Sequence, residues 1–134
     1  FGPAPVCTSF RLPLTASERD VLAEVPPNAE VRIPLRAAAP ATDQVEIVLV
    51  EQDGTPWGAV LPLTSGWVTQ RLTAADVRFF EHWPHPANRG GPEDRIRFDR
   101  LASVNVCFGA WLYGEKAGAP HALEIGEISL GKAP

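Results

Sequence analysis

Apolar positions recur with a period of two in short runs along this chain, and proline, glycine and aspartate separate the runs. Val31–Leu35 alternates Val, Ile and Leu with Arg32 and Pro34. Val45–Val50 sets Val45, Ile47 and Leu49 on one face. The turn dipeptide Asp53-Gly54 follows, and Trp57–Leu63 is the candidate hairpin partner. Ser65-Gly66 marks another turn before Trp67–Leu72, where Val68, Gln70 and Leu72 oppose Trp67, Thr69 and Arg71. Ser103–Tyr113 and His121–Leu130 complete the set, and Gly131–Pro134 reads as a linker start or frayed end. With 14 Pro and 11 Gly, the chain has little room for long helices. This pattern predicts an all-β fold, an antiparallel β-sandwich in one domain over residues 1–134. Proline donates nothing to a ladder, so Pro34 puts its strand at an edge or interrupts it.

Two short helical stretches are expected. Thr15–Glu24 opens on a capping-box pattern, Thr15 with Glu18, and Thr73–Phe79 suits a single turn. From Phe79 to Asp99 the alternation fails, and a connection of that length tends to be functional or mobile. Within it Phe79 and Phe80 are expected to anchor the loop base. Arg95, Arg97 and Arg100 flank Ile96 and Phe98 as in a half-buried strand with a basic face.

Candidate chemistry concentrates in Ser103–Tyr113. Read as one strand, it puts Val104, Val106, Phe108, Ala110 and Leu112 inward, and Asn105, Cys107, Gly109, Trp111 and Tyr113 outward. Pyranose C–H groups stack on aromatic faces while hydroxyls need amide or guanidinium partners, so this face suits a sugar. It equally suits cover by a neighbouring domain. Trp67 and Arg71 join the same face if their strand belongs to the same sheet. Trp57 reads as core. In the long loop, His82-Trp83-Pro84-His85 superficially resembles a metal site, but Pro84 and Pro86 break any helical spacing and no third ligand stands at a recognisable interval. A ligand rim made by His82 and Trp83 is the sharper reading, and solvent-exposed histidines the plainer one.

Charge and cysteine content narrow the classes. Twelve Lys plus Arg against 16 Asp plus Glu give a net charge of −4, which argues against nucleic acid, and no polybasic patch suggests a membrane surface. No apolar run approaches the roughly 18–20 residues that span a bilayer. Cys7 and Cys107 leave one disulfide or two buried thiols equally open. No nucleophile elbow or phosphate-binding glycine loop is present, and no carboxylate pair is singled out for glycosidic chemistry. The opening Phe-Gly-Pro-Ala-Pro and the absence of Met read as a mature or excised piece of a longer protein.

Three segments carry a family resemblance over Val31–Leu130. Gly66-Trp67-Val68-Thr69-Gln70-Arg71-Leu72, followed by Thr73–Phe80, is similar to a Gly-Trp strand-and-loop segment of galactose-binding-like β-sandwich modules. Leu101–Phe108 matches a later strand, and Ile125-Gly126-Glu127-Ile128-Ser129-Leu130 resembles the closing one. Family 11 carbohydrate-binding modules and the complex I intermediate-associated protein family are the comparisons. The resemblance implies a jelly roll that binds polysaccharide without catalysis. Such a secreted accessory module is tethered to a catalytic domain and is extracellular or periplasmic. Modules of this type often hold a structural calcium through an Asp-Asp pair; Gly126 and Glu127 stand there instead, so no cofactor is expected and Glu127 should face solvent or pair with an arginine. The expected contact residues are Trp67, Arg71, His82, Trp83, Asn105, Trp111 and Tyr113. The alternatives are a structural domain whose aromatic face packs on another domain or subunit and, more remotely, a small metal-dependent enzyme on the His82 loop.

Overall fold

The computed structural model describes residues 29–132 and, as backbone, residues 8–13. Its strands are β1 (Thr8–Pro13), β2 (Ala29–Ala37), β3 (Gln44–Glu51), β4 (Pro56–Pro62), β5 (Val68–Leu72), β6 (Arg78–Phe79), β7 (Leu101–Phe108), β8 (Leu123–Ile125) and β9 (Ser129–Lys132). One turn of helix, α1, spans Ala110–Tyr113. A five-stranded sheet runs β1-β7-β3-β4-β6, and a four-stranded sheet runs β5-β2-β8, with β9 also on β2. All pairings are antiparallel. The fold is the antiparallel β-sandwich that the alternation predicts.

Period-two patterning explains the core. Val45, Ile47 and Leu49 of β3, Trp57 and Leu61 of β4, and Val104, Val106 and Phe108 of β7 face inward from one sheet. Val31, Ile33 and Leu35 of β2, with Leu72 of β5, meet them from the other. Removing these side chains from water is the main favourable contribution to folding. The β3–β4 hairpin closes at Asp53-Gly54, where Gly54 N–H donates to Glu51 O at 2.9 Å.

Several expectations need correction. Pro34 lies in β2, the central strand of its sheet, and not at an edge. The interruption appears in its neighbours instead. β9 pairs with Ala29–Arg32, β8 pairs with Leu35–Ala37, and Gly126 N–H donates to Pro34 O between them at 2.8 Å. A residue's N and O point to the same side of a strand, so the missing donor of Pro34 faces that gap. His121–Leu130 is therefore two strands rather than one, and β9 continues to Lys132 where a frayed end was expected. Thr73–Phe79 is a turn held by Asp76, whose carboxylate accepts from Thr73 N–H and Oγ1–H at 2.8 Å, and β6 follows it. Ile96 and Phe98 are buried between exposed arginines as expected, but no strand pairs there; Phe98–Arg100 is a 3-10 turn. The expected helix over Thr15–Glu24 lies outside the described residues. So does Cys7, while Cys107 is fully buried on β7.

The long loop between β6 and β7 is held by one buried guanidinium. Arg89 donates to Glu51, Asp53 and Asp94, each at 2.9 Å, and to Thr55 Oγ1 at 3.1 Å. Glu51 also accepts from Trp57 Nε1 at 2.6 Å, which ties the cluster to the core. Hydrogen bonding to Glu51 raises the Arg89 pKa, and Arg89 in turn lowers that of Asp94. Burial opposes ionisation of Asp53, yet hydrogen bonds from Thr55 and Arg89 outweigh it and hold its pKa at about 2. Gly90 completes the anchor. Its φ of +86° favours glycine, and a Cβ there would stand 2.2 Å from the Phe79 ring.

Two outcomes test this anchor. Arg89→Ala strands Glu51 as a buried carboxylate without its counter-charge, and should cost about 3–5 kcal/mol in urea unfolding; a loss under about 1 kcal/mol refutes the role. The carboxylates also set an acid limit. Asp53 and Asp94 have pKa values below their ordinary 3.8, so their contribution is complete above pH 3.8 and is lost as pH falls toward about 2. Melting temperature should drop across that window in the native protein and less steeply in Asp53→Asn.

Candidate functional site

The outer face of the five-stranded sheet carries a groove, and the strand register sets its floor. Side chains that alternate with the core positions bring Glu46, Val48 and Val50 of β3 beside Cys107, Asn105 and Ser103 of β7. On the other side Val60, Gly58 and Pro56 of β4 stand opposite the same β3 positions. The loop after β6 then crosses this face. Phe80 stands directly on Gly58, where a Cβ would lie 2.3 Å from its ring. His82 and Trp83 pack against Phe80 with ring centroids 4.9 and 6.3 Å away.

Three adjoining hollows make up the groove. One of about 450 Å³ is lined by Glu46, Val60, Asp76, Arg78, Phe80 and His82 among others. The next, about 370 Å³, lies between Glu46, His82, Trp83 and Trp111. The third, about 360 Å³, continues along Trp83 and Pro84 to Ser103 and Asn105. Shared linings join them: Glu46 and His82 border the first two, and Trp83 the last two.

Glu46 is the unusual group here. It is 7% exposed, and neither a hydrogen bond nor an ion pair reaches its carboxyl group. Burial alone pushes its pKa up to about 7. An unpartnered polar side chain at the floor of an aromatic-walled groove suits a ligand that brings hydrogen-bond donors. The sequence offered one signal for it, an acid inside the run Val-Glu-Ile-Val-Leu-Val.

Of the seven expected contact residues, four gather at this groove: His82, Trp83, Asn105 and Trp111. They reach it differently from the expectation. β7 ends at Phe108, and the chain turns into α1, where Leu112 N–H donates to Gly109 O at 3.0 Å. Gly114 ends that turn with φ of +55°, a conformation that glycine adopts freely. Trp111 thus projects from a helical turn and is 51% exposed. Asn105 is buried, its Nδ2 donating to Val48 O and Ser103 Oγ at 3.3 Å. Gly109 and Gly114 were the available warning that the strand stops.

The other three lie elsewhere. Tyr113 faces inward and not outward, because a helical turn puts Leu112 and Tyr113 side by side in the interior. Its hydroxyl donates to Gln44 O at 2.9 Å, and its ring stacks on His121 at 3.8 Å. Burial raises its pKa to about 12. Trp67 and Arg71 belong to the four-stranded sheet, so the single-sheet condition for grouping them with Trp111 fails. Arg71 pairs with Glu30 at 3.0 Å, and Trp67 lies under the Arg36 guanidinium at 5.3 Å. A further hollow of about 550 Å³ opens near Arg36 and Glu124, which pair with each other at 2.8 Å. Its walls are these two side chains, the loop after β2 and residues 63–65.

Among the described residues no group of three or more His, Cys, Asp or Glu side chains is placed to hold a metal ion. Glu127 is exposed, and Gly126 packs on Pro34, where a Cβ would lie 2.8 Å from the ring. No described helix is long and apolar enough to cross a membrane.

No family model and no curated protein matches the sequence. Solved structures do match the fold. A family 11 carbohydrate-binding module of the cellulosomal cellulase Lic26A-Cel5E of Clostridium thermocellum aligns with a TM-score of 0.61 at 10% identity, covering 95% of this chain and 68% of that one. A family 11 module from Clostridium thermocellum in complex with a β-1,3-1,4-mixed-linked tetrasaccharide aligns with a TM-score of 0.67 at 11% identity, covering 95% and 69%. Identities this low establish the architecture alone. The chain has the galactose-binding-like β-sandwich fold of family 11 carbohydrate-binding modules.

Proposed function

We propose that this protein binds carbohydrate non-covalently along the groove over its five-stranded sheet. The observation that carries the reading is the hollow between Trp83 and Trp111, with the unpartnered Glu46 on its floor. Indole faces accept the apolar faces of pyranoses, and the carboxyl group receives hydroxyl donors. The fold supports the same reading, since one structural neighbour was solved with a tetrasaccharide. The protein performs no chemistry in this reading. It serves as an exported accessory module that holds a tethered enzyme near its polysaccharide and raises local substrate concentration.

A second reading has one observation in its favour. Trp67 and Val68, 50% and 43% exposed, are consecutive at the start of the edge strand β5. Such an apolar edge suits packing against another domain or subunit. Gel filtration separates the readings: a monomer retained on glycan supports the first, and a dimer that no glycan retains supports the second.

Two variants test the groove. Trp111 is half exposed, so Trp111→Ala should leave the melting temperature nearly unchanged while weakening retention on the cognate glycan about tenfold or more. Undiminished retention removes Trp111 from the site. Gly58→Ala drives Phe80 off its seat and so disturbs the His82 and Trp83 wall. It should weaken glycan retention without touching any proposed contact, at a stability cost of about 1–3 kcal/mol.

A further inference from the structure

Glu46 also bears on which glycan the groove can take, an inference that rests on the carbohydrate-binding reading above. On β3 its register neighbours are Val60 of β4 and Cys107 of β7, so the sheet supplies it with no counter-charge. The groups that face it from other elements are few. The turn before β6 brings Asp76, β6 brings Arg78, the crossing loop brings His82, and α1 brings Trp111. The β1 register places position 9, a serine, opposite Cys107, and position 11, an arginine, opposite Asn105 further along β7. Arg78 is the one described cation in the hollows next to Glu46, and it stands at no ion-pairing distance from it. The third hollow adds Glu51, already committed to Arg89. The remaining basic groups of the long loop are not in the groove: Arg95 donates to Pro92 O and Asp94 O, and Arg97 and Arg100 face solvent outside its walls.

We infer that the groove selects uncharged glycans and rejects chains bearing uronate or other acidic groups, with Glu46 as the discriminating residue. A neutral sugar donates hydroxyl hydrogens to this carboxylate, which no donor among the described residues occupies. A uronate brought to the same floor sets one negative charge against another, with no cation among the described residues paired to Glu46 to offset it. The proton balance follows. Free Glu46 titrates near pH 7, and hydroxyl donors favour its charged form, so binding of a neutral glycan releases a proton. Affinity should then be full above pH 7 and fall as the groove is acidified.

The test is affinity electrophoresis of the native protein and Glu46→Gln at pH 5.5 and pH 8.5. Mixed-linkage β-1,3-1,4-glucan, xyloglucan and galactomannan serve as neutral probes, polygalacturonate and alginate as anionic ones. The native protein should be retarded by a neutral polymer about tenfold more strongly at the higher pH, and by neither anionic one. Glu46→Gln should lose the pH dependence and gain retardation by an anionic polymer. Equal retardation of the native protein by anionic and neutral polymers at pH 8.5 overturns the selectivity while leaving carbohydrate binding intact. A pH slope that survives in Glu46→Gln overturns the role of Glu46. No retardation of folded native protein by any of the polymers, with folding confirmed by a cooperative melt, overturns the carbohydrate reading and this inference with it.

Discussion

A guanidinium enclosed by three carboxylates, on a loop with almost no regular structure, holds the groove in shape. Arg89 reaches the β3–β4 hairpin through Glu51 and Asp53, and its own loop through Asp94. Charges this deep are costly to desolvate, and such a cluster persists only when each partner is satisfied several times over. Here Thr55, Trp57 and the Gly90 amide supply the extra bonds. The segment over Phe79–Asp99 therefore behaves as part of the wall. Phe80, His82 and Trp83 precede the anchor, and the placement of all three on the outer face depends on the loop being pinned at both ends.

The two faces of the same sheet explain how a small sandwich builds both a core and a site. β3 and β7 spend their odd and even positions differently: Ile47 and Val106 pack inward, while Glu46 and Asn105 look the other way. Gly58 omits a side chain on β4 and makes room for Phe80. The groove is then a consequence of alternation interrupted at chosen points.

Much of this was legible in the sequence. Alternation and turn dipeptides located β2 to β5, β7 and the hairpin, because those strands bury one face and a one-residue slip would expose it. Asn105 and Trp111 were recognisable as amide and aromatic groups sharing one face, and His82 and Trp83 as a candidate rim. Tyr113 was misplaced because Phe108, Ala110 and Leu112 keep a period of two straight through the point where the chain leaves the sheet. Trp67 and Arg71 were misplaced because face assignment within a strand says nothing about sheet membership. Neither the Arg89 cluster nor Glu46 as a floor residue was foreseen, since both depend on contacts between segments far apart in sequence.

Pro34 has a consequence for how the four-stranded sheet assembles. A proline in a central strand leaves a notch in the ladder, and only a neighbour that is itself broken can fit alongside. Gly126 fills that notch, with its amide on the Pro34 carbonyl and no Cβ to strike the ring. Shift the interrupted strand β8–β9 by two residues in either direction and a side chain meets the pyrrolidine while a carbonyl loses its donor. The imino acid thus works as a key that admits one alignment of the chain's last strands, and the sheet closes in that alignment or not at all.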